Sequence, residues 1–313
     1  MWLLMLLFLV TPAGTDEPLV LKGHEGWVGG VAFAPDGKTL ATASADKTIR
    51  LWSLPDGRLR LTLKRHSDAV AAVAFAPDGK SLASASYDGT LKLWDAATGA
   101  ERHTLRGHRG VVMAVAYSPD GKALVSGGID GTVRMWDAAT GREKRILKGH
   151  RSWVNAVAWS ADGKRLATAS SDGTIRLWAP SGEEQATLKG ARDDGEVRSV
   201  ALSPDGKTVA AGMRYGAVKT WDVATGRLRS NIRAHRGDVW ALTFSPDGKL
   251  LVSGDGDWNL PSAVKVWDAA TGETRGELRH TGEVLCATIS ADGRKVAAGS
   301  WDKTVRVWVT PKK

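Results

Sequence analysis

One cysteine, Cys286, stands in 313 residues. It excludes an internal disulfide framework and any metal site built wholly from thiolates. Phe and Tyr are scarce, at 4 and 3 copies. No apolar run is long enough to cross a bilayer: Trp2–Val10 has nine residues, against about 20 for a spanning helix. No window sustains a helical period. Enzyme signatures are missing too. There is no Gly-x-Ser-x-Gly elbow, no His-Glu-x-x-His, no phosphate-binding glycine loop and no paired cysteine. The net charge is +9, yet no five basic residues stand in a row. Apolar residues at 42% and charged residues at 25% exclude disordered and collagen-like chains.

What is abundant is tryptophan, at 14 copies, and glycine, at 36. Seven tryptophans share one local context, as in Thr48-Ile49-Arg50-Leu51-Trp52. They are Trp52, Trp94, Trp136, Trp178, Trp221, Trp267 and Trp308, spaced 42, 42, 42, 43, 46 and 41 residues apart. Seven Asp-Gly pairs keep the same phase, from Asp36-Gly37 to Asp292-Gly293. Asp-Gly between apolar runs signals a hairpin, because Gly accepts the positive φ of the turn. Each unit reads as four short strands. In the first, strand a spans 28–34, strand b 39–44, strand c 48–53 and strand d 58–64. A meander with two apolar faces must pack against copies of itself, and a ring of sheets provides them.

The period, with Gly23-His24, Gly107-His108 and Gly149-His150 near repeat starts and Trp-Asp near repeat ends, resembles the WD-repeat family. The resemblance covers about residues 18–310. It implies an all-β, seven-bladed propeller of four-stranded antiparallel blades. The last repeat ends on its strand c at Thr310, and residues 18–22 match a strand d, so the N-terminal strand is expected to close the last blade. The resemblance also implies a buried hydrogen-bonded chain within each blade. Matched position by position, it is His24, Thr42, Asp46, Trp52; then His66, Ser84, Asp88, Trp94; then His108, Ser126, Asp130, Trp136; then His150, Thr168, Asp172, Trp178. A His–Asp–Ser set suggests catalysis. Four identical sets argue for structure instead, since an enzyme needs one site. The fifth repeat keeps only Trp221, with Ala191, Ala211 and Tyr215 at the other positions. The sixth has His235, Ser253 and Trp267, with Asp255 or Asp257 as its acid. The seventh has His280, Asp302 and Trp308, with Ala298 at the hydroxyl position.

Basic residues follow the same phase. Seven follow the Asp-Gly turns and seven sit two before each strand c Trp, so 14 of the 43 are dictated by the repeat, and nucleic acid is not the expected partner. Function is expected on the variable rim formed by the d–a and b–c loops. Trp27, Trp153, Trp240, Trp258, Trp301, Tyr87, Tyr215, Arg198 and Arg214 all fall at or beside it. Trp, Tyr and Arg are the types enriched in binding hot spots. The insertion carrying Asp255-Gly256-Asp257-Trp258-Asn259 opens like a calcium loop, but Leu260 and Val266 stand where Gly and Glu are needed. No metal, cofactor or catalytic residue is expected. The expectation is a non-enzymatic monomeric scaffold that presents this rim to a protein or peptide. A small-ligand or glycan site is the alternative, and a hydrolase or lyase centred on the channel is the third class. Residues 1–13 read as a signal peptide, with cleavage after Ala13, and 14–313 as one propeller domain. A cleaved chain would be exported to the periplasm or beyond and would keep no membrane span; a retained leader implies the cytoplasm.

Overall fold

The computed structural model describes residues 17–189, 195–256 and 262–311. They form seven four-stranded antiparallel sheets. In blade 1 the strands are Val28–Phe33 (a), Thr39–Ser44 (b), Ile49–Ser53 (c) and Leu59–Leu63 (d). The later blades repeat this order. The one difference from the sequence reading at strand c is Thr48. Its amide and hydroxyl both donate to Asp46 Oδ1, at 2.9 and 2.7 Å, so it belongs to the turn.

Each strand a packs against strand a of the next blade, and the last packs against the first, so the strands a line a central channel. Strand b lies inside its sheet with both faces covered, which is why segments such as Thr39–Ser44 are buried at every position. The apolar core is divided into wedges between neighbouring blades. One such wedge joins Ala41, Ile49 and Leu51 of blade 1 to Val70, Leu82 and Trp94 of blade 2. At strands a and b, Ala, Gly and Ser allow the sheets to approach closely. The strand c indole then fills the wider outer gap, as Trp94 does at 1% exposure.

Closure follows the expected route. Leu19–Leu21 pairs antiparallel with Val305–Val309, with Leu19 opposite Val307 and Leu21 opposite Val305. Leu21 enters the same wedge as Val28, Trp52, Ala297 and Val305. On the channel side, Cys286 Sγ lies 3.5 Å from the Val28 carbonyl. Cys286 is therefore a channel-wall residue, partly open to the channel, where burial pushes its thiol up to about 12. Among the described residues no helix is long and apolar enough to cross a membrane.

Candidate functional site

The rim loops are held from beneath by the polar chains. In blade 1, Trp52 Nε1 donates to Thr42 Oγ1 at 2.9 Å, the hydroxyl lies 2.7 Å from His24 Nε2, and His24 Nδ1 lies 2.7 Å from Asp46 Oδ2. Blade 2 repeats the distances at 2.9, 2.8 and 2.7 Å through Trp94, Ser84, His66 and Asp88. Blade 3 uses Trp136, Ser126, His108 and Asp130, and blade 4 uses Trp178, Thr168, His150 and Asp172. A neutral imidazole lets every proton in the chain run one way, from indole to carboxylate. Burial pushes the His108 imidazole down, in keeping with that form. Burial by itself would raise the Asp46 carboxyl, but hydrogen bonds from His24, Thr48 and the Glu25 amide outweigh it and hold it well below the carboxylate range. Each aspartate also accepts the amide after its histidine, as in Ser67 N to Asp88 at 3.0 Å. The d–a loop and b–c turn of one blade are thereby tied together. Tyr87 immediately precedes Asp88, and Trp27 and Trp153 lie three residues after His24 and His150, so these aromatics sit on braced loops.

A second device turns side chains into the channel. Every strand a skips one residue in its pairing with strand b, between Val28 and Gly30 and at the six equivalent places. Such bulges re-aim side chains. The skipped residues are Gly29, Ala71, Met113, Asn155, Arg198, Trp240 and Leu285, and all seven line one cavity of about 760 Å³ at the channel mouth. Its wall also includes Trp27, Tyr87, Trp153, Arg214, Tyr215 and Trp301. Eight of the nine rim residues named from sequence therefore border a single space; Trp258 lies outside the described residues. Trp27 and Trp240 are half-buried there rather than fully exposed, whereas Trp153, Tyr215 and Trp301 are about half exposed.

The two sides of the cavity differ. On the side of blades 7, 1 and 2, Trp27 stacks on Trp301 with ring centres 6.1 Å apart, and lies 5.8 Å from Tyr87. Gly29 makes this possible, because a Cβ there would strike the Trp27 ring. On the side of blades 5 and 6, the Arg198 guanidinium lies 4.5 Å from the Trp240 ring centre, and Arg214 lies 5.0 Å from that of Tyr215. Arg198 donates to Glu196 at 2.7 Å and to Asp238 at 2.9 Å, and Arg214 donates to Glu196 at 2.9 Å. Tyr215 adopts a left-handed backbone, φ 68°, and its amide donates to Asp238 Oδ1 at 3.2 Å. Sequence reading missed Glu196, Arg236, Asp238, Met113, Asn155 and Leu285. A signal was present: the residue after the first strand a valine runs Gly, Ala, Met, Asn, Arg, Trp, Leu between near-constant neighbours.

Comparison with known proteins agrees with this architecture. A family model described as IFT122 first beta-propeller matches residues 70–261, and one described as WD domain, G-beta repeat matches 16–53 and 272–309. The chain belongs to the WD-repeat β-propeller family. Pre-mRNA-splicing factor PRP46 of Yarrowia lipolytica is 54% identical over 43 residues, 14% of this chain and 10% of that protein. Periodic tryptophan protein 2 homolog of Dictyostelium discoideum is 29% identical over 98 residues, 30% of this chain and 10% of that protein. Protein groucho of Drosophila melanogaster is 28% identical over 117 residues, 37% of this chain and 16% of that protein. The aligned stretches span a sixth or less of these relatives.

The later WD repeats depart from the pattern in three ways. Blade 5 has Ala211 buried where the hydroxyl stands elsewhere, and Tyr215 in place of the acid; Ala191 lies outside the described residues. In blade 6, Asp255 faces His235 at 3.4 Å from within strand b, and Asp257 lies outside the described residues. In blade 7, Asp302 lies 3.2 Å from His280, but Ala298 leaves His280 Nε2 buried without a hydrogen-bond partner. The basic residues before the strand c tryptophans are largely committed: Lys92 pairs with Glu101, Arg134 with Glu143 and Arg176 with Glu184. Much of the positive charge thus serves the blades.

Proposed function

We propose that this WD-repeat chain is a non-enzymatic, monomeric interaction module whose channel mouth receives a segment of a protein or peptide partner. One observation carries the reading: side chains from all seven blades, spaced far apart in sequence, border one concavity rich in Trp, Tyr and Arg. Its volume of about 760 Å³ exceeds what one side chain needs and lies within the range of ligand sites. Braced loops reduce the ordering cost of binding. Both oxygens of Glu196 and both of Asp238 accept hydrogen bonds from arginines or the Tyr215 amide, which leaves them structural duties. Affinity capture with the intact chain and a Trp27→Ala/Trp240→Ala variant tests the reading. A partner retained by the first and lost by the second is expected; equal retention places the interface elsewhere.

A small ligand or glycan stacked on the rings is the second reading, favoured by the concavity itself. The mutual stacking of Trp27 and Trp301 weighs against it, because it covers one face of each ring. Export of the chain is a separate proposal, resting on the apolar run Trp2–Val10 and the small residues Thr11 and Ala13. N-terminal sequencing that begins at Gly14 would support it, and a retained Met1 would overturn it.

A further inference from the structure

We propose that the channel mouth recognises a carboxylate-bearing peptide segment: an Asp or Glu side chain docks on the wall of Arg198, Arg214 and Arg236, and a neighbouring apolar or aromatic side chain packs toward Trp27, Tyr87 and Trp301. The inference deepens the reading of the mouth as a peptide site and rests on it.

Three arginines line the cavity. Both oxygens of each acid nearest them are engaged. Glu196 accepts from Arg198 and Arg214, one bond on each oxygen, and Asp238 accepts from Arg198 Nε and the Tyr215 amide. Donors remain. Arg198 Nη2 and the Nε and Nη2 of Arg214 make no hydrogen bond, and Arg236 forms no ion pair, among the described residues. The other acid that lines the cavity, Glu283, is sunk into blade 7 at 8% exposure. On the side of blades 5 and 6 three arginines thus meet two acids, Glu196 and Asp238, so that wall keeps spare N–H groups and one positive charge, and its complement is an acceptor with negative charge.

Placement makes these donors selective. The Arg198 side chain is only 12% exposed, held by Asp238 at Nε, by Glu196 at Nη1 and by Trp240 against its face. The guanidinium is thus fixed in direction, and a fixed guanidinium matches a carboxylate better than a mobile ammonium does. Arg214 is set by Glu196 and the Tyr215 ring, and Tyr215 is held left-handed by Asp238. A bulky residue with positive φ persists only where its surroundings over-determine it. The opposite wall is aromatic and apolar, which suits a side chain rather than a free inorganic anion. A phosphorylated residue is an outcome of the test below.

The probe is a set of immobilised, N-acetylated, C-amidated heptapeptides with random flanks around a central Glu-Trp, Gln-Trp or phosphoserine-Trp pair, presented to the intact chain. The expected result is enrichment of Glu over Gln by about tenfold, the ratio that 1.4 kcal/mol gives, with the excess falling as salt rises. Arg236→Gln and Arg214→Gln each reduce that excess, whereas Trp27→Ala weakens Glu and Gln pools alike. Arg236 is exposed and unpaired among the described residues, so its variant should keep the fold; circular dichroism checks this. Equal retention of Glu and Gln pools, or an excess untouched by both arginine variants, overturns the carboxylate assignment while the peptide site stands. Phosphoserine enriched above Glu overturns the carboxylate in favour of phosphate. No peptide retained by the unmodified chain overturns both readings.

Discussion

Blade 2 carries the whole polar chain from His66 through Ser84 to Asp88 and Trp94, whereas blade 5 keeps only Trp221. The strand plan is the same in both. In blade 2 the b–c turn is braced within the blade, because Asp88 accepts from the Ser67 amide and lies against His66. In blade 5 Arg214 donates to Glu196 within the blade, and a further brace comes from the next blade, where the Tyr215 amide donates to Asp238. Ala211 meets the Trp221 wedge as plain hydrocarbon. Losing hydroxyl and acid together avoids the cost of a half-satisfied network. It also frees the turn to hold Tyr215 and Arg214 against the channel mouth. Blade 7 is the intermediate case, with a histidine kept and its hydroxyl lost.

The largest expected effect is in blade 2. Ser84→Ala removes the partner of both His66 Nε2 and Trp94 Nε1 and should cost about 2–4 kcal/mol, read from denaturant midpoints. The reverse change in blade 5, Ala211→Ser, should move stability by less than about 1 kcal/mol, because the new hydroxyl meets no His–Asp pair. Equal effects would erase the contrast between the blades.

Acid should narrow that contrast. Asp46, Asp88 and Asp172 are held below their ordinary range, with burial opposing and the histidine hydrogen bonds prevailing. A carboxyl depressed in the folded state contributes fully above its unfolded value of about 3.9 and loses that contribution as pH falls through the folded value. Hydrogen exchange followed downward from pH 5, after correction for intrinsic rates, should show blade 2 losing protection faster than blade 5. Parallel loss in the two would deny the aspartates this role.

Near neutrality the order is expected to favour blade 2. Thr208–Met213 and Ala217–Asp222 should exchange roughly tenfold faster than Ser81–Ser86 and Thr90–Asp95. Rates as slow in blade 5 as in blade 2 would show that apolar packing alone protects a blade. The one expected gain belongs to blade 7, where Ala298→Ser gives His280 Nε2 a hydroxyl and should add about 1 kcal/mol. A neutral or lower midpoint would mean that the extra oxygen crowds the wedge instead.

Much of this was legible in the chain. Trp52 and its six equivalents, with the Asp-Gly pairs, counted the blades and placed strand ends within a residue or two. The closing strand was readable because Val20-Leu21-Lys22 before Gly23-His24 repeats Ile146-Leu147-Lys148 before Gly149-His150. The rim residues were also named from their phase. Asp238 was missed because its role depends on Arg198 and Tyr215 of the neighbouring blade, and Arg236 because only the closed ring sets it on the cavity wall. Asn155 and Met113 were missed because a bulge leaves the strand's apolar alternation intact on either side.

The sequence by itself determined the repeat: hydrogen bonds and turns inside one blade join residues at fixed short separations, and such separations recur as a period. That Trp27, Trp301, Arg198 and Tyr215 face a common space is a property of the closed ring. That outcome depends on the curvature of seven wedges closing into a ring, and the curvature is set by packing between blades, where residues distant along the chain meet.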